Sequence, residues 1–523
     1  MTLSKSIFWL LVCCCVGFAG QTTEKTQAEE FDAFLSNRYS KAQVEILKTS
    51  CTKSEAYSPF CYSILNRESL ELKMKIIRAS KNISKLKAQP TPIKFKNGKI
   101  HNWMEVRFAS VHAILKGIGR LKPAEVLEVQ KEALKESNCP NNAAIAVAAA
   151  LEDELPEAAN FEQLGDLYEK GAQCLVELPE ERSVLLTRAG IFQFAGKKYE
   201  KAEMTLNIAT KIKDVFKGRS LYWLYRTQLA LSKNKDASKT VEQLQASYPF
   251  SFHTLIAMTS LKEDPGEILL NEPTSKLTRS NRNPHLNPLL SQVEILNKYR
   301  LENSAEKVLN WAIMEAQGAE PEVMLYLADL KQEYGSYQST MNILSDILYK
   351  NPDLISKKTM EKYFPKVFFP IFEKNSHGVD PFLLISIARR ESAFNSRALS
   401  SANARGLMQV VPARKGKHRS RINLFNPEDN IKAGSQFFSD LLGRVNGQVH
   451  LALAAYNAGP MKIGQWLSRY PVNEPVLFID LIPYRETRDY VAAVMRNYYW
   501  YRRIHHTDKR APASILGLST QLK

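Results

Sequence analysis

The chain is poor in turn formers: 523 residues carry only 22 Gly and 24 Pro. For a chain of this length that argues against an all-β architecture rich in turns. Sustained apolar/polar alternation is missing too, and no Asn-Gly hairpin signal sits between apolar runs. The nine His residues show no ligand-like spacing, and there is no Gly-rich phosphate loop. Metal and nucleotide cofactors are therefore not expected. Beyond the first twenty residues no stretch is long and apolar enough to span a bilayer. What is present suits a folded protein with more than one core: 44% hydrophobic and 24% charged residues. The net charge of +17 fits either a polyanionic partner or a plain basic surface.

The N-terminus predicts export. Lys5 precedes the apolar run Ile7 to Val16, which is too short to span a membrane, and the small residues Gly17 and Ala19 follow. Residues 1–19 read as a signal peptide cleaved after Ala19, which places the mature chain in the periplasm or outside the cell. A lipoprotein is disfavoured, because Cys13, Cys14 and Cys15 all lack Gly, Ala or Ser just before them. Four cysteines remain, Cys51, Cys61, Cys139 and Cys174. An even number in an exported chain suggests two disulfides, of which Cys51–Cys61 with Cys139–Cys174 is the simplest pairing. Four buried thiols are the alternative.

Nearly everything else reads as helix, so the expected class is mostly α. After a linker over 20–30, residues 31–364 look like short helices in a long array. "FAGKKYEKAEMTLNIATKI" (194–212) has the layout of a tetratricopeptide unit. Gly196 would end one helix, and Tyr199, Ala202 and Leu206 would line the next. Residues 230–249 repeat it, and 330–353 form a third unit. Such units cannot bury their apolar faces alone, so a stacked superhelix is expected. The polar stretch 271–288, with three prolines, reads as a linker. A second domain is expected over 365–510, followed by a tail at 511–523.

Asp380-Pro381 is a helix start, with Asp380 as N-cap. Leu384, Ile387 or Ala388, and Glu391 then share one face, so Glu391 continues an apolar stripe. Desolvation and the nearby helix C-terminus both raise its pKa, as a general acid requires near neutral pH. No further Asp or Glu occurs until Glu428.

Four blocks around this residue resemble the soluble lytic transglycosylases, enzymes that cut the glycan strands of bacterial peptidoglycan. They are "ESAFNSRALSSANARGLMQVVP" (391–412), "NPEDNIKAGSQFFSDLL" (426–442), "ALAAYNAGP" (452–460) and "IPYRETRDYVAAVMRNYYWY" (482–501). The helical region upstream is loosely similar to the superhelical domain of the large members. The resemblance implies a lysozyme-like catalytic α domain in which Glu391 is the single acid/base. It would protonate the MurNAc–GlcNAc β-1,4 oxygen, then take a proton from the muramoyl C6 hydroxyl as a 1,6-anhydro ring closes. A usual glycosidase needs two carboxylates; here the substrate supplies the nucleophile. By the same resemblance Ser400, Gln409, Tyr456, Asn457, Glu486 and Tyr490 line the groove, and Gly406 allows close backbone approach. Met408 reads as core. Val411 departs from the pattern, standing where several members carry a methionine. The basic loop 413–421 reads as a contact to acidic stem peptides or as a solvated loop.

From Ile371 to Lys523 there are 22 Lys and Arg against 11 Asp and Glu, which fits the carboxylates of peptidoglycan. With no nucleic-acid motif, a nucleic-acid partner is not expected. The helical arm offers a surface for cell-wall protein partners. Two rivals stay open: a hydrolytic muramidase on the same fold, and a repeat scaffold that binds glycan without cutting it.

Overall fold

The computed structural model describes residues 24–36, 161–173, 178–212, 217–266, 286–316, 320–351, 354–412, 422–470 and 473–506, with isolated positions between 121 and 175 and at 270. The expected signal peptide, all four mature-chain cysteines, the basic loop 413–421 and the tail 511–523 lie outside them. Among the described residues every regular element is a helix, and none is long and apolar enough to cross a membrane. The mostly α class is thus borne out.

The chain divides into two compact units. One takes in Met1–Lys87 with Pro273–Ile355; the other takes in Ala88–Glu272 with Ser356–Lys523. In the first, helices Glu24–Leu35, Leu286–Lys298, Glu302–Glu315 and Pro321–Glu333 close one core around Phe31, Leu289, Val308, Trp311 and Leu327. Helix Glu24–Leu35 begins inside the stretch read as a linker. Helix Leu286–Lys298 likewise takes the end of the 271–288 linker, because Pro288 falls in the first helical turn, where its missing N–H breaks no bond.

Repetition shows in the turns. Lys197, Ser232, Lys262, Arg300 and Gly335 all adopt left-handed backbone, with φ between 59° and 67°. One residue later an N–H reaches back five positions: Lys198 to the Gln193 carbonyl at 2.8 Å, Lys233 to Gln228 at 2.8 Å, Glu263 to Met258 at 3.0 Å, Leu301 to Leu296 at 2.9 Å and Ser336 to Lys331 at 3.1 Å. This six-to-one bond closes a helix end and turns the chain. Helices Tyr199–Lys211 and Asn234–Ser247 follow two of these turns, burying Ala202 and Leu206, then Ala237 and Val241. Gly196 stands at a helix end as expected, but its φ is −79° and Lys197 makes the turn.

The second unit is organised around helix Arg485–His505, which is buried from Tyr490 to Tyr501 along most of its length. Helices Pro381–Ser392 and Val449–Ala458 pack against it. Each Leu, Ile or Val taken fully out of water at these contacts contributes roughly 1.5–3 kcal/mol.

Candidate active site

Helix Pro381–Ser392 carries Glu391 one residue before its end. Its start is capped as the sequence predicts: Asp380 Oδ1 accepts from the Phe382 N–H at 2.8 Å. The other carboxylate oxygen of Asp380 accepts from the Tyr498 hydroxyl at 2.8 Å and from Arg502. The cap thereby locks this helix to helix Arg485–His505. Leu384, Ile387 and Ala388 are fully buried, so the stripe leading to Glu391 is core. The helix stops abruptly, with Ala393 at φ 50° and Phe394 at φ 67°. Two left-handed non-glycine residues in a row are costly, and burial of the Phe394 ring offsets that cost.

Burial dominates the Glu391 carboxyl and pushes its pKa up to about 7. The Tyr490 hydroxyl and the Arg390 guanidinium pull it down, while the Glu486 carboxylate pushes it up. Arg389, the other neighbouring cation, turns away: it donates to the Tyr363 carbonyl and stacks over the rings of Tyr363 and Phe364 at 4.6 and 4.4 Å. The Tyr490 side chain is buried, yet its hydroxyl makes no hydrogen bond of regular geometry to any described group. It interacts with Glu391 electrostatically, and burial, Glu391 and Tyr456 all raise its pKa. The proton of Tyr490 thus stays on oxygen, available to a ligand or to Glu391.

The loop after Glu391 is held by a polar residue in the next helix. Asn430, fully buried in helix Pro427–Arg444, accepts from the Met408 N–H at 2.8 Å. Its amide donates to the carbonyls of Arg405 at 2.7 Å and Leu424 at 2.8 Å. Gly406 sits at the crossing with φ 70°, where a Cβ would come within 2.2 Å of the Leu424 oxygen and 2.4 Å of Asn430 Nδ2. The close approach expected at Gly406 is therefore made by the protein's own chain. Ser392 Oγ donates to the Leu407 carbonyl at 2.8 Å, tying the loop to the Glu391 helix. Met408 is fully buried, as expected.

The remaining site residues divide by what holds them. Tyr456 donates to the Met408 carbonyl at 2.7 Å, packs on Phe437 and Phe438, and feels the Glu391 charge. Gln409, at φ 51°, uses its amide N–H on the Gly406 carbonyl at 2.9 Å and on Ala398 at 3.3 Å, and its amide oxygen has no partner among the described residues. Asn457 accepts from the buried Thr487 hydroxyl at 2.7 Å, and its NH₂ has no partner among the described residues. Glu486 is exposed in the first turn of helix Arg485–His505, one turn before Tyr490. Ser400 instead closes its own loop, accepting from the Ala404 N–H at 3.0 Å. Glu391, Tyr456, Glu486 and Tyr490 are brought together electrostatically, and Gln409 and Asn457 are joined to them through Met408 and Thr487. Val411 is exposed at 59% on the same loop.

Asn430 was not singled out from sequence. The available signal was an amide on the apolar stripe of an amphipathic helix, next to Ile431. Among the described residues no three His, Cys, Asp or Glu side chains cluster as metal ligands would.

Residues 369–475 match the family described as "Transglycosylase SLT domain". A soluble lytic murein transglycosylase of Salmonella typhimurium is 25% identical over 298 residues, covering 54% of this chain and 43% of that protein. The protein of that name from Escherichia coli is 30% identical over 156 residues, 27% of this chain and 24% of its own length. The matched stretches thus span less than half of these relatives. Among solved structures, the lytic transglycosylase Slt of Pseudomonas aeruginosa, in an inactive variant, superposes with a TM-score of 0.50 at 16% identity, covering 94% of this chain and 83% of that one.

Proposed function

Taking as premise that residues 369–475 are a transglycosylase SLT domain, on a chain with the fold of a lytic transglycosylase, we propose that the protein cleaves peptidoglycan glycan strands without water. The observation that carries this reading is Glu391: a half-buried carboxyl whose pKa desolvation pushes up to about 7, beside a buried tyrosine hydroxyl with no regular partner among the described residues.

Near neutral pH about half of such a carboxyl holds its proton, so one group can give and then take. Protonated Glu391 donates to the oxygen linking MurNAc C1 to GlcNAc C4, and the C1–O bond breaks. The carboxylate so formed stands beside the oxocarbenium carbon and stabilises its charge. It then takes the proton of the MurNAc C6 hydroxyl while O6 bonds to C1, giving the 1,6-anhydro ring and regenerating the acid. Tyr490 and Tyr456 steady Glu391. The amide oxygen of Gln409 and the NH₂ of Asn457 suit acetamido groups and sugar hydroxyls. Ser400 serves the groove by shaping its loop. Export to the periplasm, and protein partners along the helical arm, belong to this same proposal.

One observation favours a second reading. The Glu486 carboxylate acts on Glu391 and is exposed, so it could activate a water, as in a muramidase. Mass spectrometry of muropeptides released from purified peptidoglycan separates the two. Anhydromuropeptides from the wild type and none from Glu391→Gln support the transglycosylase. Reducing ends assign hydrolysis. Binding of glycan without release by either protein leaves only the scaffold.

A further inference from the structure

Helix Arg485–His505 presents Glu486 and Tyr490 on one face. Arg488 and Asp489, on the same turns, border a small cleft whose other walls include Thr187, Arg188, Arg219 and Asp480.

The charges around this cleft do not balance. Arg188 is paired with Glu152 and also donates to the Leu481 carbonyl at 2.9 Å. Arg219 reaches Asp480 at 2.8 Å and Asp489 at 3.0 Å. Asp480 is further engaged by His253 at 2.6 Å and Trp223 at 2.7 Å. Arg488 has no such partner among the described residues. It is 8% exposed, and its Nη1 donates only to the carbonyls of Ile482 and Pro483. Its Nε and Nη2 make no hydrogen bond to any described group, and no described carboxylate pairs with it. Burial and the guanidiniums of Arg188 and Arg219 outweigh the Glu152 carboxylate, which is already paired with Arg188, and bring its pKa down to about 9. A buried guanidinium keeps its proton, so the missing counter-charge has to come from elsewhere.

We propose that this cleft is a binding site for a small oxyanion, a carboxylate or phosphate group, held by Nε and Nη2 of Arg488 with Arg219 beside it. The N-terminal end of helix Arg485–His505 adds a favourable partial charge. An anion seated there steadies the turns that carry Glu486 and Tyr490, so occupancy reaches the groove.

Isothermal titration calorimetry of the full chain at constant ionic strength tests this, with inorganic phosphate and acetate as separate probes. The expected result is saturable binding of at least one. Arg488→Met should weaken it by about tenfold or more, the share of one charge-assisted contact. Asp489→Asn, which removes an acid from the cleft wall, should tighten it. Acetate binding as tightly as phosphate points to a carboxylate ligand, such as a stem peptide would offer; phosphate alone points to a phosphoryl group. No saturable binding of either probe, or equal affinities in both variants and wild type, overturns the proposal. Should Arg488→Met fail to fold, the Asp489→Asn arm decides alone.

Discussion

Replacing Glu391 with Gln should stabilise the protein at alkaline pH and change little in acid. Burial lifts the folded-state carboxyl from 4.5 to about 7. Below the lower value both folded and unfolded chains hold the proton, and nothing is lost. Between the two values the unfolded chain ionises first, so stability falls as pH rises. Above the upper value both are ionised and the full cost applies, about 3 kcal/mol for a shift of this size. Gln does not titrate. The stability gap between Glu391→Gln and wild type should therefore widen from less than about 1 kcal/mol at pH 5 to about 3 kcal/mol at pH 8. Urea unfolding at the two pH values, with matching slopes, reads this as a midpoint difference that appears only at the higher pH. A gap of equal size at both would mean that Glu391 is an ordinary solvated carboxylate, and the reasoning about its acid/base role would fail with it.

Tyr490→Phe removes a group that lowers the Glu391 pKa, so the alkaline limb of the pH–activity profile should move upward. Stability should hold in acid, where Glu391 is protonated in both folded and unfolded chains, and fall at alkaline pH, where the folded carboxylate has lost a group that favours its charge; an unmoved limb would uncouple the two residues. Asn430→Ala strands the Met408 N–H and the Arg405 and Leu424 carbonyls. At about 1 kcal/mol or more each, the urea midpoint should report a loss of about 3 kcal/mol, with glycan release falling in parallel. Gly406→Ala drives a Cβ into the Leu424 carbonyl at a left-handed position, and should cost about 2 kcal/mol or more by the same assay.

Much of the site could be read along the chain because its parts are local. The apolar stripe Leu384–Ile387–Glu391, the Asp380 cap and the Glu486–Tyr490 spacing each need only one helix. The core assignment of Met408 also follows from a short block. What could not be read depends on the fold. Lys197, Ser232 and Arg300 take turns that sequence would assign to glycine, since stacking of the flanking helices forces that backbone. Asn430 works through three backbone groups up to 25 positions away. The Arg188–Asp480 contact spans 292 positions, and no periodicity encodes it. For the same reason an Arg488 with no carboxylate partner among the described residues becomes visible only when Glu152, Asp480 and Asp489 around it are all found occupied.

The central claim is that the substrate's own C6 hydroxyl replaces water. Digestion of purified peptidoglycan in heavy-oxygen water, followed by mass spectrometry of the released muropeptides, tests it most directly. The account predicts anhydro products with no heavy oxygen at the new MurNAc terminus, and no release by Glu391→Gln. Heavy oxygen at C1 would contradict it and make Glu486 the first residue to test as the group that activates the water.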